Sequence, residues 1–352
     1  MAANFASDNT GGASPVIVAA VAEAATATAM PYGADPWTAR VTARLGEIFE
    51  TDVAVFPVVT GTAANALALA ALTPPWGAVY CHPHSHAMED ECGAPEFYSG
   101  GARLVGVGGD HARIGAAALA AALPAARPHG VHNMRPAALT LTQATEAGTI
   151  YRPEAVAELA AIARRHGMAV HMDGARFTNA LAALDARPAD LTWRAGVDVL
   201  SLGATKNGAM AAEAVIFFRP ELAAEFAERR KRGGHLLSKA RFISAQLEAW
   251  LADDLWLANA RTANAAARRL ADGLAALPGV TFVHPVEANM VFAELPGASV
   301  AALEAEGFGF YRAGGAGTGA DAGRAAIRLV CGFATTDAEV DEFIAAAARH
   351  GP

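Results

Sequence analysis

The sequence predicts an α/β protein in two parts. A large domain over residues 1–243 is built on a central, mainly parallel sheet with helices on both faces, and a smaller α+β domain follows over residues 244–352. Three observations predict this. Short apolar, β-branched runs alternate with helix-forming stretches through the first part, the order that parallel strands and crossover helices require. Past residue 244 the alternation stops, and one long helical stretch leads into a few short strands. The 352 residues are 53% hydrophobic and 18% charged, enough apolar surface to fill a large core and a smaller companion.

Taken in order, 53–59, 78–81, 103–107, 137–142, 168–172, 197–201 and 214–218 read as strands. Helices are expected between them, notably over 62–72 and 153–166. In the latter, Val156, Leu159 and Ile162 share an inward face, Glu154, Glu158 and Arg165 stay wet, and Gly167 supplies the stop. The alanine-rich stretch 116–122 reads as helix rather than low complexity. Beyond 244 a helical stretch runs to 277, Pro278 and Gly279 end it, and strands follow at 280–283, 289–295 and 326–330. No internal repeat is present. On such sheets, ligands gather where strands end and helices begin.

Charge and cysteine content narrow the function classes. A net charge of −8 argues against general affinity for nucleic acid. Arg229-Arg230-Lys231-Arg232 is the only dense basic run; it reads as a solvated helix end, with a polyanion site as the alternative. No apolar run approaches the ~20 residues of a spanning helix. The opening segment lacks the basic and apolar regions of a signal peptide, so a cytoplasmic protein without a membrane partner is expected. Cys81, Cys92 and Cys331 have no zinc spacing, and reduced thiols are expected.

Lys206 is the most informative residue. It follows the apolar run 197–200 and the small, uncharged 201–205, surroundings that desolvate an amine and favour its neutral, nucleophilic form. Asp173, 33 residues earlier, ends another such run in His171-Met172-Asp173-Gly174-Ala175-Arg176. A lysine amine and a carboxylate are what pyridoxal 5'-phosphate requires, the first to anchor it as a Schiff base and the second to keep its ring nitrogen protonated. Thr60-Gly61-Thr62 supplies a cradle for its phosphate: Gly61 opens the backbone amides, Thr62 adds a hydroxyl, and a new helix presents its positive end. The same turn also reads as a simple helix start.

The densest polar cluster is His82-Pro83-His84-Ser85-His86-Ala87-Met88-Glu89-Asp90-Glu91. Alternating imidazoles on a strand share one face without converging on a tetrahedral centre, so no metal is expected. A planar cofactor gives them another use: one histidine lies against the ring, and Asp90, a helical turn beyond His86, orients it or binds a water.

Together these residues resemble the threonine aldolases among the fold-type-I pyridoxal phosphate enzymes, in particular the bacterial low-specificity L-threonine and L-phenylserine aldolases. The resemblance spans nearly the whole chain. It is carried by Phe5-Ala6-Ser7-Asp8-Asn9-Thr10, Tyr32-Gly33-Ala34-Asp35-Pro36, Gly61-Thr62, His84-Ser85-His86, the 171–177 segment, Lys206 and Ile327-Arg328-Leu329-Val330. It implies a fold-type-I large domain, with Lys206 holding the cofactor, Asp173 at the ring nitrogen, Gly61 and Thr62 on the phosphate and His86 stacked on the ring.

By the same resemblance, Ser7, Arg176 and Arg328 receive the substrate carboxylate, which suits arginine because its planar fork bonds both oxygens. Tyr32 would reach the site of a neighbouring subunit, giving a homodimer or homotetramer with active sites at the dimer interface. Two departures stand out. Relatives carry Gly-Gly-Gly-Met-Arg-Gln where this chain has Gly233-Gly234-His235-Leu236-Leu237-Ser238-Lys239, which makes Lys239 a substitute cation. Many also carry Glu-Asn-Thr-His-Asn where this chain has 141–149 without histidine; His132 then stands either as the matching base or as an exposed loop residue.

The implied reaction is retro-aldol cleavage of L-threonine, L-allo-threonine and related β-hydroxy-α-amino acids such as phenylserine to glycine and an aldehyde, together with the reverse addition. His86, His132, and a water held by His86 and Asp90 are the candidate bases. The alternative is another fold-type-I lyase that eliminates at Cβ, sharing Lys206, Asp173 and the cradle but releasing ammonia and a keto acid.

Overall fold

The computed structural model describes residues 2–123, 129–313 and 323–351. Two helices open the chain, α1 (Pro15–Thr26) and α2 (Pro36–Phe49). The second starts where Asp35 accepts the Thr38 amide at 2.9 Å and Pro36 fixes the first turn. Its buried face is Val41, Leu45 and Phe49.

Seven strands then build the main sheet: β1 (Ala54–Val58), β2 (Gly77–Cys81), β3 (Arg103–Gly106), β4 (Arg135–Thr142), β5 (Ala169–Gly174), β6 (Val199–Gly203) and β7 (Glu213–Phe217). Their order is β1-β7-β6-β5-β4-β2-β3. All run parallel except β7, which is antiparallel to both of its neighbours. Each expected strand is present within two residues of its predicted limits. The one reversal has a functional result: the first residue of β7, Glu213, stands at the rim where β1 and β6 end.

The helix that follows β1, α3 (Gly61–Leu72), is buried continuously from Ala63 to Ala70. Alanine suits this position, because a helix enclosed on all sides needs small side chains to let strands and neighbouring helices approach. A helix over Pro153–Arg165 buries Val156, Leu159 and Ile162 as the sequence predicts.

The stretch expected as one helix from 244 to 277 is two. Arg241–Leu251 and Leu255–Ala275 are separated by a turn in which Asp253 and Asp254 adopt φ of 48° and 54°. Aspartate tolerates this left-handed backbone better than most residues, so the Asp253-Asp254 pair breaks an otherwise helical run. Three antiparallel pairings form the second sheet, ordered β10 (Tyr311–Arg312), β11 (Arg324–Val330), β9 (Met290–Pro296) and β8 (Thr281–Phe282).

The molecule holds two main hydrophobic cores. Leu139, Val170, Leu200 and Ile216 from the main sheet pack with Leu247, Trp250 and Trp256. Leu270, Leu274, Val291, Ile327 and Phe343 make the second core, together with Ala3 and Phe5 from the opposite end of the chain. The division expected at residue 243/244 falls just inside the helix Arg241–Leu251, whose Ile243, Leu247 and Trp250 pack on the first core. Phe5 is locked into the second sheet by its own amide to Gly309 O and by the Val330 amide to Phe5 O.

Candidate active site

The C-terminal ends of β1, β5 and β6 meet the start of β7 around a cavity of about 370 Å³ lined by Thr60, Gly61, Thr62, His86, Lys206 and Glu213, among others. On one wall, Thr60 caps α3 by accepting the Ala63 amide at 3.1 Å. Gly61 is the first helical residue, and a Cβ added to it would meet no atom within 4 Å, so its backbone faces open space. On the other wall, Lys206 sits in a tight turn, Thr205–Asn207, closed by Gly208 at φ 105°. A Cβ at Gly208 would approach Asn259 Nδ2 to 2.9 Å. Burial, and then the Arg176 charge, lowers the Lys206 amine below its ordinary proton affinity.

Asp173 is held without a cation. It accepts Asn65 Nδ2 at 2.9 Å and the Ala175 amide at 3.0 Å, and among the described residues no lysine or arginine lies within ion-pair distance. Its charge is therefore placed and uncompensated at close range. The same Asn65 nitrogen donates to Glu91 Oε1 at 2.8 Å, and Glu91 Oε1 pairs with His86 Nδ1 at 2.9 Å. A continuous chain of contacts thus joins Asp173 to His86. The Glu91 contact raises the proton affinity of His86. His86 is fixed from its backbone as well, where its amide donates to Glu146 Oε1 at 2.6 Å.

Two further carboxyls are titratable near neutrality. Burial, reinforced by the Asp173 charge, pushes Glu146 up to about 7. Burial likewise pushes Glu213 up to about 7, against the opposing pull of the Thr205 hydroxyl and Lys206. Beneath the site, His171 is hydrogen-bonded between Thr140 Oγ1 and Ser201 Oγ, both at 2.8 Å, and its burial lowers it to about 4.

The two arginines differ. Arg176 is engaged bidentately by Asp8, Nε to Oδ2 at 2.7 Å and Nη2 to Oδ1 at 2.9 Å, with Asn289 also donating to Asp8. Burial alone would raise Asp8, but the Arg176 charge and hydrogen bonds overcome it and hold Asp8 low. Arg328 has no carboxylate partner among the described residues; its guanidinium lies 5.8 Å from the Tyr311 ring centre. Burial lowers its proton affinity, and the Arg176 charge adds to this. Of the pair, Arg328 is the one whose fork is open to a ligand.

Other predicted residues are distributed more widely. Asp90 is exposed, and the carboxylate that orients His86 is its neighbour Glu91, which a four-residue helix, α4 (His86–Glu89), and a left-handed turn at Cys92 rotate inward. The orienting contact expected of Asp90 is therefore made by Glu91. Ser7 accepts the Asn9 amide and borders a separate hollow with Asp8 and Thr335. His132 is exposed in a turn before β4, the opposite end of that strand from Thr142, which pairs with Asp173. Tyr32 is half exposed, with Lys231 Nζ 4.8 Å from its ring centre. In the basic run, Arg230 is buried and donates to Pro57 O at 3.0 Å, so this segment is only partly a solvated helix end.

His82 is bound to Gly109 O, His84 to Glu89 and His86 to Glu91, so each imidazole has a partner of its own. Among the described residues no group of three or more histidine, cysteine or acidic side chains is arranged to hold a metal. No described helix is long and apolar enough to cross a membrane.

The residues present fit pyridoxal phosphate. Gly61 leaves the cradle open, Asp173 keeps a charge available for a ring cation, and Lys206 is the cavity's one amine, biased toward its neutral form. Small residues keep the floor thin: a Cβ on Gly203 would lie 2.9 Å from Ala175 Cα, and one on Gly174 would lie 2.7 Å from Ser201 O.

The family described as beta-eliminating lyase matches residues 4–297. A low specificity L-threonine aldolase of Pseudomonas aeruginosa is 46% identical over 307 residues, covering 87% of this chain and 88% of the relative. Another protein of that description, from a Pseudomonas species, is 41% identical over 341 residues, covering 97% and 96%. Among solved structures, a threonine aldolase of Leishmania major superposes with a TM-score of 0.92 at 27% identity, covering 99% of each chain.

Proposed function

The chain belongs to the beta-eliminating lyase family, among the low-specificity L-threonine aldolases, and from that premise we propose that it cleaves L-threonine and related β-hydroxy-α-amino acids to glycine and an aldehyde with pyridoxal 5'-phosphate as cofactor. It is a carbon–carbon lyase of fold type I. The observation that carries the site assignment is the convergence of Lys206, Gly61, Thr62 and His86 on one cavity with Asp173 behind it. Identity over nearly the full length with proteins named for aldol cleavage favours that reaction over elimination.

The bound cofactor supplies an electron-accepting ring that stabilises charge left at Cα. This chain's residues do the rest. Lys206 would hold the cofactor through its amine, for which its lowered proton affinity suits it. Asp173 would keep the cofactor's ring nitrogen protonated. Gly61 and Thr62 bind phosphate at the start of α3. Arg328 would take the substrate carboxylate in its open fork, with Ser7 and with Arg176, whose position Asp8 fixes; such a clamp would select which bond at Cα is presented for cleavage. His86, on the cavity lining with its Nδ1 engaged by Glu91, would cover the cofactor and has Nε2 left to act as the base for the β-hydroxyl. Tyr32, half exposed within one chain, reaches the site of a neighbouring subunit of a dimer or tetramer, whereas His132 is the exposed loop residue.

Borohydride reduction of the yellow protein, followed by peptide mapping, is expected to fix the cofactor on Lys206; fixation on another lysine breaks the assignment. Glycine plus aldehyde as products is expected, and ammonia plus a keto acid would replace cleavage with elimination.

A further inference from the structure

Glu213 has no part in the reaction above, yet its position is unusual. Because β7 runs against its neighbours, the pairings Val58↔Glu213 and Gly203↔Glu213 place this residue between β1, which leads within three residues to Gly61, and β6, which leads within three residues to Lys206. It is 7% exposed, and it is the one carboxylate among the residues lining the cavity. Its side chain is tightly located: a Cβ on Gly203 would lie 3.0 Å from Glu213 Oε2. Thr205 donates to the carboxylate.

A buried anion on the wall of a phosphate cradle is an electrostatic conflict, since a phosphate ester brings close to two negative charges. The charged groups that act on Glu213 are Lys206, which favours its anion, and Asp173, which opposes it. On the outer side of β1, Arg230 is committed to Pro57 O. No guanidinium separates the carboxylate from the cradle among the residues that line the cavity.

We propose that Glu213 is a proton-holding residue of the cofactor site: it takes up one proton when a phosphate ester dianion occupies the cradle, so that cofactor docking is linked to protonation of this side chain. The proposal rests on the assignment of the cavity to pyridoxal phosphate. Burial already leaves Glu213 half protonated near neutrality, and an adjacent dianion moves it further the same way. The step is a proton transfer only. A carboxylate becomes a carboxylic acid, and the proton comes from solvent or from the Lys206 ammonium as that group becomes a free amine.

The test uses the apoprotein and inorganic phosphate, which carries the charge but has no aldehyde. The dissociation constant is measured calorimetrically from about pH 7.5 to 9 for the wild type and Glu213→Gln, a neutral isostere. In the wild type, affinity is expected to fall by up to about tenfold per pH unit more than in the variant, and the variant is expected to bind about tenfold tighter near pH 8.5. Because Glu213 also raises the proton affinity of Lys206, the same pair is compared in a Lys206→Ala background, where only the carboxyl titrates differently. Parallel profiles would overturn the proton link while leaving the cofactor assignment intact. No binding by the wild type at any pH, with no cofactor fixed on Lys206 by borohydride, would overturn both. Should Glu213→Gln not fold, proton uptake by lightly buffered wild type on adding phosphate near pH 8 decides: about one proton per site is expected, and none contradicts the proposal.

Discussion

Two buried aspartates on adjacent strands do opposite work. Asp198 precedes β6 at the N-terminal edge of the sheet, where Oδ2 accepts the Val170 amide at 2.8 Å and the half-exposed Arg164 and Arg219 approach Oδ1 at 3.8 and 3.5 Å. Asp173 ends β5 at the opposite edge and is held by an amide side chain and a backbone N–H alone. The first carboxylate is neutralised by the protein. The second is oriented by donors that carry no net charge, which leaves its field for a cation that the protein does not provide. The kind of partner, more than burial itself, separates a structural acid from a functional one.

Several substitutions can break or sharpen that contrast. The largest expected effect is on Asp173→Asn, which retains the shape but loses the charge: kcat should fall by about 10²–10³-fold while the unfolding midpoint stays near that of the wild type. An active Asp173→Asn would refute the distinction. His171 lies between the two acids, held neutral by burial. Its folded value, about 4, is below its ordinary 6.5, so the unfolded chain binds the proton first. Its contribution is complete above 6.5 and lost as pH falls toward 4, a total of about 3 kcal/mol. Urea unfolding across that window should show a shallower pH slope for His171→Gln, and an unchanged slope would mean the imidazole is not held neutral.

Asp198→Ala leaves the Val170 amide buried without an acceptor and should cost about 1–3 kcal/mol of stability. Its kcat should remain within about twofold, and a larger loss would make Asp198 functional as well. The smallest effect concerns the relay from Asp173. Glu91→Gln should lower the His86 titration midpoint, read by NMR of the imidazole protons in the apoprotein. A stationary midpoint would show that Glu91 does not govern this ring.

The strands, the cradle, Lys206 and Asp173 were legible in the sequence because each is local: an apolar run and the turn that follows it. The relay was not. Asn65 lies one helical turn past Gly61 in a run of alanines, and only the return of β5 brings Asp173 to it. Asp90 and Glu91 are adjacent acids that one-dimensional spacing cannot rank; the short α4 and the turn after it decide which faces inward. The Asp8–Arg176 pair spans 168 positions and depends on the N-terminal segment crossing to the second sheet. Glu213 did leave a signal, since a charged residue opening the apolar run 213–217 asks for a reason. The break at Asp253-Asp254 left one too, in two consecutive residues that favour turns.

The thin floor beneath the cavity bears on how the protein can be diversified. Gly174 and Gly203 each abut backbone atoms, Ser201 O at 2.7 Å and Ala175 Cα at 2.9 Å, so even alanine at either position must shift backbone. Met210, 45% exposed at the rim, and Asp90, exposed beside the bound histidine, have room to change. A library that randomises these two glycines along with the cavity lining would therefore be diluted by misfolded clones. Concentrating variation at the rim, with the two glycines fixed, samples changes in substrate preference in chains that still fold.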